Sequence, residues 1–286
     1  MKKIFALSLI AAFISSCTKP AGIKLPDQEK KLVVTCLISP NDSKPVTAVV
    51  RLSDPKFTSD TTHYTDEVTN ATVVMNDGTN SIILTYKADH NCYESASPSA
   101  VVISEGKTYH LTVTTPDGKY ANASTTVPVG LLSVKSFDVF LKDTSYNSIN
   151  YDAHAEVDDI ANQTNYVCLI YSNIFDTRSM IPGQTYDSNG YDEYSFFDSD
   201  ERISKSSYIS TYKSGNIYSQ DTMFHAFVHL NALNCSKEFY LYQNSLQNAG
   251  NQDNPFADPA LIYTNMVNGF GCFGAYTLKV QSKQVR

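Results

Sequence analysis

Residues 108–127 read TYHLTVTTPDGKYANASTTV, two runs of alternating side chains on either side of Pro116-Asp117-Gly118. In a strand, successive side chains point to opposite faces, so alternation gives one buried and one solvated face. A turn containing Asp-Gly between two such runs predicts a β-hairpin, because glycine accepts a positive φ at little steric cost. Residues 71–75 and 81–86 flank Asn76-Asp77-Gly78 and predict a second hairpin.

The rest of the first half follows the same pattern. Residues 32–38 form an apolar run that ends at Pro40-Asn41-Asp42, and residues 46–52 alternate. Turn signals about 8–12 residues apart, with alternation between them, are typical of a β-sandwich. The sequence therefore predicts an immunoglobulin-like β-sandwich over residues 31–129, with a boundary at Pro128-Val129-Gly130.

Residues 130–286 predict a second β-rich domain with one short helix, so the fold class is all-β. Four further runs have strand character: 134–141, 151–157, 166–175 and 223–230. Ser236 is a candidate N-cap for a helix over residues 236–247, which we expect to cover one open end or face of the second sheet. A polar, aromatic stretch over residues 182–221 is interpreted as a long loop.

The N-terminus reads MKKIFALSLIAAFISSC over residues 1–17. A basic start, a short apolar run and small residues form a secretory signal that is too short to span a bilayer permanently. Residues 14–17, Ile-Ser-Ser-Cys, resemble a lipobox, which predicts cleavage after residue 16 and a lipid on Cys17. Residues 17–30 would then form a lipidated tether. These features predict attachment to a membrane through the lipid, with the periplasmic or surface-facing side left open.

The charge balance excludes some partners. Removing residues 1–16 takes away Lys2 and Lys3 and no acid, which leaves 20 basic and 29 acidic residues and a net charge of −9. An acidic chain has no electrostatic footprint for nucleic acid or for an anionic membrane surface. Five cysteines remain, and their spacing leaves disulfides and buried free thiols open as alternatives: Cys36, Cys92, Cys168, Cys235 and Cys272.

The polar stretch supplies two sets of candidate site residues. One set consists of crowded carboxylates, which suit Ca²⁺ as a cofactor. A solvated polar loop is the alternative. These carboxylate residues are Asp187, Asp192, Glu193, Asp198, Asp200 and Glu201. Exposed aromatic side chains among polar ones suit a peptide, glycan or protein ligand. Aromatics folded back onto the sheet are the alternative, and the residues are Tyr186, Tyr191, Tyr194, Phe196 and Phe197.

Catalytic motifs are missing from the sequence. His225 and His229 share a strand face, but Ala226 stands where a metalloprotease would carry glutamate. The sequence contains neither a GxSxG elbow nor SxxK with its partner motifs. Residues 269–274 spell GxGxxG, but bulky Phe270 and Phe273 fill its gaps and no helix is predicted after it. We therefore expect no enzymatic activity, and we expect the three glycines to allow close backbone approach at a bend or bulge.

Three stretches carry a resemblance to a known family: KLVVTCLIS after the lipobox, EGKTYHLTVTTPDGKYANASTTVP, and the tail SKEFYLYQNSLQN with NPFADPALIYTNMVNGFGCFGAYT. Together they resemble the domain of unknown function 4249 family of Bacteroidota lipoproteins. The resemblance implies an outer-membrane lipoprotein of two β-rich domains, often encoded beside a TonB-dependent receptor. It implies no catalytic residues and no ligand.

The expected function is that of a non-catalytic, lipid-anchored cell-envelope protein. It would act as an accessory or ligand-capturing partner of a TonB-dependent outer-membrane transporter. The alternative is an adhesion or structural β-sandwich module that binds protein, glycan or cell wall.

Overall fold

The structure is a computed structural model, which describes residues 29–40, 44–53, 66–97, 100–144, 148–176, 191–218, 225–250 and 261–285. The described residues are mostly β, with 59% of them in strands and 7% in helix. This confirms the prediction of an all-β, sandwich-like fold with one short helix.

Strands and one helix follow one another along the described chain. They are β1 (Leu32–Ile38), β2 (Thr47–Leu52), β3 (Thr72–Asn76), β4 (Ser81–Lys87), β5 (Cys92–Glu94), β6 (Thr108–Thr114), β7 (Tyr120–Thr126), β8 (Ser133–Thr144), β9 (Ser148–Asp158), β10 (Tyr166–Asp176), β11 (Tyr191–Ser199), β12 (Ser207–Tyr218), β13 (His225–Cys235), α1 (Lys237–Gly250) and β14 (Gly269–Gln284).

Both predicted hairpins are confirmed. Strand β3 pairs antiparallel with β4, and β6 pairs antiparallel with β7. Gly78 and Gly118 lie in the two hairpin turns with φ values of +89° and +87°, a backbone conformation that favours glycine.

The interpretation of residues 182–221 as one long loop was wrong. Strands β11 and β12 lie within this stretch, and β11 pairs with β10 at the edge of a sheet. Tyr194 and Phe196 of β11 pack against one apolar cluster and Phe197 packs against another, and the polar residues among them obscured the strand pattern.

The described strands form an eleven-stranded sheet, in the order β11-β10-β13-β14-β1-β2-β5-β4-β3-β6-β7, and a three-stranded sheet, in the order β12-β9-β8. Strand β1 lies near the middle, parallel to β14 on one side and antiparallel to β2 on the other. The first and last strands are therefore hydrogen-bonded neighbours.

The first core lies where the large sheet folds back on itself. A backbone bridge between Asn122 and Val267 joins β7 to the segment just before β14, which closes the sheet around this core. Tyr93 and Tyr109 are fully buried there. The Tyr93 hydroxyl donates to the Val68 carbonyl at 2.6 Å, so the ring is buried without an unpaired polar atom. Each such side chain contributes about 1.5–3 kcal/mol through burial.

The second core lies between the three-stranded sheet and β10, β11 and β13, and it is rich in tyrosine. The rings of Tyr194 and Tyr212 stack with centroids 5.1 Å apart. The Tyr151 ring lies against Gly215, where an added Cβ would come within 2.4 Å of the ring. The absence of a side chain at Gly215 therefore makes room for that ring.

Helix α1 covers the other face of β10 and β13, as predicted, and forms a third apolar cluster with them. Ser236 is buried, and its Oγ accepts hydrogen bonds from the backbone N–H of Phe239 at 3.4 Å and of Ala275 at 3.2 Å. The first bond confirms Ser236 as the N-cap, a contribution of about 1 kcal/mol. The second fastens the helix start to β14.

The glycines of β14 lie where another part of the chain comes close. Gly271 has a φ of +103°, and an added Cβ would lie 2.0 Å from the Val34 carbonyl oxygen. An added Cβ at Gly274 would lie 2.7 Å from Cβ of Phe239 in α1. The expected close backbone approach is confirmed at Gly271, but the bend or bulge before the last strand is not, because residues 269–275 lie within β14 and pair with β1 without a register shift.

Lys31–Asp54 and Tyr64–Arg286 fall into one compact unit. Gly130 lies at the predicted domain junction within this unit. Its carbonyl accepts hydrogen bonds from Thr277 Oγ1 at 2.6 Å and from Asn234 Nδ2 at 3.2 Å, which hold the junction against β13 and β14. The first core contains residues before this junction together with Met266, Phe273 and Ala275, and the second core contains residues after it. The division into domains 31–129 and 130–286 stays a prediction.

We predict that Gly271→Ala destabilises the protein by about 4 kcal/mol or more, because the new methyl group would overlap a backbone carbonyl that cannot move freely. Gly118→Ala is the matched control. It also places alanine at a positive φ, but in open space, so we expect a loss of only about 1–2 kcal/mol. Urea unfolding followed by circular dichroism measures both. Equal losses for the two variants would contradict the close approach of β14 to β1.

Candidate functional site

A cleft with a volume of about 460 Å³ opens beside the β6–β7 hairpin, and we call it the hairpin cleft. Its floor is the outer face of the hairpin, where His110 lies opposite Ser124 and Thr112 lies opposite Asn122. The intervening residues, such as Leu111, are buried in the first core. The strand alternation that builds the core therefore presents a row of polar side chains to the cleft.

The wall of the hairpin cleft is the segment that precedes β14. Asn122 and Val267 exchange two backbone hydrogen bonds, of 3.2 and 2.7 Å. Asn265 donates from Nδ2 to the carbonyls of Ser124 at 3.3 Å and Phe273 at 2.8 Å. Its Oδ1 accepts from the Phe273 N–H at 3.0 Å. The amide of Asn265 thus fastens the wall to β7 and to β14, and the cleft is preformed.

The far end of the cleft is formed by Glu238, in the first turn of α1, and by Tyr263. The Tyr263 N–H donates to Ser245 Oγ at 2.9 Å, which ties this part of the wall to the helix. Burial raises the pKa of the Tyr263 phenol, and the Glu238 carboxylate raises it further. The phenol therefore stays protonated at neutral pH and remains able to donate a hydrogen bond.

The lining of the hairpin cleft suits binding. It contains hydroxyl, amide, imidazole and phenol groups with one carboxylate, and none of the lining residues is Lys or Arg. Such groups offer both donors and acceptors without demanding a charged ligand. Clefts of this size with a few convergent polar groups are typical of small-ligand sites.

Two other clefts contain ion pairs in their walls. In one, of about 410 Å³, Lys107 Nζ lies 2.6 Å from Asp77 Oδ2, and this hydrogen bond is the main reason that the pKa of Asp77 lies well below its usual range. In the other, of about 400 Å³, Lys119 forms an ion pair with Asp117. These lysines already have protein partners, so the hairpin cleft is the stronger candidate.

The predicted aromatic site is not brought together as one surface by the described residues. Tyr186 lies outside them, and only the backbone of Tyr191 is described. Tyr194 and Phe196 pack against the second core, whereas Phe197 packs against the third cluster under α1. These three side chains follow the alternative that the sequence left open, in which the aromatics cover the sheet.

The predicted calcium ligands are dispersed as far as the structure describes them. Asp187 lies outside the described residues, and only the backbone of Asp192 and Glu193 is described. The other three have separate protein partners: Asp198 pairs with Lys205, Asp200 accepts from the Asn165 N–H at 2.7 Å, and Glu201 pairs with Lys237. No group of three or more His, Cys, Asp or Glu side chains with metal-binding geometry occurs among the described residues. Calcium binding stays a prediction.

The five cysteines beyond Cys17 are free and buried. Burial raises the pKa of Cys36 and Cys235 far above the usual range. Burial, followed by the charge of Glu238, raises the pKa of Cys272 to about 12. Since the thiolate is the reactive form, these residues act as small apolar side chains. Cys17 itself lies outside the described residues.

His229 lies on the outer face of β13, where its Nδ1 is 3.2 Å from Ser282 Oγ. Partial burial lowers the pKa of His229, so the ring is neutral at pH 7. His225 is described only in its backbone. The Ser282–His229 contact lies on a sheet face away from the lining of the three clefts described above.

Sequence reasoning missed the hairpin cleft. Residues 108–126 have the ordinary pattern of a strand with one solvated face, and Glu238 has the ordinary place of an acid in a first helical turn. The only early signal was the tail around Asn265, which was noted for its resemblance and not for a site. Three separate parts of the chain form the cleft, and only the fold brings them together.

We predict that the five buried thiols react with Ellman's reagent in the unfolded protein but not in the native one at pH 8. The reason is that burial blocks access to all five thiols, and it also raises the pKa of Cys36, Cys92, Cys235 and Cys272, so that their thiolate fraction at pH 8 is below that of a free cysteine. The absorbance of released thionitrobenzoate, with and without guanidinium chloride, measures this. If fewer than five thiols react in the mature chain unfolded without a reducing agent, some of these cysteines form disulfides. That result would contradict the assignment of all five as free cysteines.

No helix in the described part of the chain is long and apolar enough to cross a membrane. The model of the family named Domain of unknown function (DUF4249) matches residues 18–282. No curated protein shows significant similarity to the chain. The family match covers nearly the whole sequence, including the hairpin and the tail that form the cleft, and so this chain belongs to the DUF4249 family.

Proposed function

We propose that this protein is a non-catalytic, lipid-anchored cell-envelope protein that captures a ligand for a TonB-dependent outer-membrane transporter. The observation that carries the proposal is the hairpin cleft, a preformed polar site on a β-sandwich scaffold. The signal-like sequence and Cys17 support a membrane location, with residues 17–30 as a short tether.

The cleft favours capture because its walls are fixed before a ligand arrives. Asn265 and the Asn122–Val267 bridge hold the wall against the hairpin, and Tyr263 is tied to α1. A site that is already ordered loses little conformational entropy on binding. The buried thiols, with their raised pKa values, support a role without covalent chemistry.

Strand β1, the first described strand after the predicted tether, lies near one end of the cleft. Leu32 of β1 is paired with Gly269, and an added Cβ at Gly269 would lie 3.0 Å from Ala121, the residue next to Tyr120 in the cleft floor. Residues 18–30 extend at most roughly 45 Å from the lipid. A captured ligand would therefore be held within reach of a transporter in the same membrane.

We predict that the tagged lipoprotein, purified from native outer membranes in mild detergent, copurifies with a TonB-dependent receptor in near-stoichiometric amount. Mass spectrometry of the eluate identifies and quantifies the partner. Cys17→Ser is the control, because it removes the lipid-bearing thiol; we expect it to leave the membrane fraction and to lose the receptor.

Recovery of the intact, lipidated protein without a receptor at low salt would contradict the transporter partnership. Retention on peptidoglycan or on another envelope protein in the same experiment would favour the alternative adhesion or structural role. An unchanged membrane fraction for Cys17→Ser would contradict the lipid anchor.

A further inference from the structure

We propose that the hairpin cleft binds an uncharged carbohydrate. This inference names the ligand class for the capture role above and rests on that proposed function. It is carried by the combination of the exposed Tyr120 ring, the half-buried Tyr263 phenol, uncharged hydrogen-bonding side chains and the lack of Lys or Arg in the cleft lining.

The charges of the lining argue first against anionic ligands. Glu238 is the single carboxylate residue in the cleft lining, and none of the lining residues is Lys or Arg to balance it. A phosphate, sulfate or carboxylate group would therefore meet repulsion and lose its hydration without a charged partner. Acidic peptides and acidic polysaccharides are disfavoured for the same reason.

The uncharged groups match the hydroxyl pattern of a sugar. Thr112, Asn122 and Ser124 lie next to one another on the floor, and their side chains together provide both donors and acceptors. The described hydrogen bonds of Asn122 and Ser124 to the wall use their backbone, which leaves these side chains for a ligand. A sugar ring presents adjacent hydroxyl groups that both donate and accept hydrogen bonds, whereas an ammonium group can only donate them.

The aromatic groups supply the apolar contact that a sugar also needs. Tyr120 is 44% exposed and Val267 is 55% exposed at the tether end of the cleft. Tyr263 lies at the other end with its hydroxyl protonated. A tyrosine offers an apolar ring face with a polar tip, which fits the C–H face and the hydroxyls of a sugar at once.

The size of the cleft sets the length of the ligand. A volume of about 460 Å³ lies toward the small end of the range for ligand sites, which favours a short segment of a carbohydrate chain. Glu238 then acts as a hydrogen-bond acceptor for hydroxyls at the helix end of the cleft, where its geometry selects among sugars.

Isothermal titration calorimetry on the mature full-length protein in detergent tests the inference. The neutral probes are maltohexaose, cellohexaose, mannohexaose and chitohexaose, and the charged probes are oligogalacturonate and spermidine. We expect at least one neutral probe to bind and oligogalacturonate not to bind. Tyr120→Ala and Asn122→Ala should each weaken that binding about tenfold, because each removes a contact from the exposed floor.

Asn150→Ala is the matched control, since Asn150 is also a polar strand residue but lies in β9, away from the cleft, beside Asn216. It should bind the sugar normally. Unchanged thermal unfolding of all three variants shows that the fold is intact. Preferential binding of spermidine, binding that the cleft variants do not weaken, or no binding of any neutral probe would each overturn the proposal. None of these outcomes changes the receptor copurification, so the two proposals fail separately.

Discussion

The hydrogen bonding of β14 on both of its edges is the constraint on which the rest of the structure depends. Its first half runs parallel to β1, and its second half runs antiparallel to β13. One strand therefore contributes Phe273 and Ala275 to the first core and continues into the sheet of the second. Parallel pairing of the first and last strands requires nearly the whole chain to fold between them, so few local contacts can stabilise it. The close approach at Gly271 fixes the register of β14 against β1. The hydrogen bond from the Ala275 N–H to Ser236 fixes the position of β14 at the start of α1.

The hairpin cleft is a consequence of that register. Because Phe273 is fixed in β14, the Asn265 side chain that bonds to it is fixed as well, and Asn265 in turn holds the wall against β7. Ser236 Oγ accepts from Ala275 and places Glu238, two residues later, at the end of the cleft. The same backbone contacts that close the first core thus define the position of the polar groups that would meet a ligand.

The sequence predicted what local patterns determine. Local features could be predicted because each depends on a few neighbouring residues: the Asp-Gly turns, the alternation in 108–127 and the N-cap at Ser236. The sequence prediction failed at β11 and β12, because many polar residues among the buried ones made this stretch resemble a loop. It could not place residues 110–124 beside 263–267, because that contact arises from pairing between distant parts of the chain. The candidate site was consequently sought among aromatic residues of which three in β11, Tyr194, Phe196 and Phe197, pack against the apolar clusters.

Strand β14 joins the two cores into one cooperative unit. Pulsed hydrogen exchange during urea unfolding, read by mass spectrometry on peptides from β6–β7 and from β9, is the measurement that tests this coupling. We expect the same urea midpoint for both peptides, because loss of β14 opens both cores together. A β6–β7 peptide that becomes exchangeable at a clearly different urea concentration from the β9 peptide would contradict it and would show two separately folding domains.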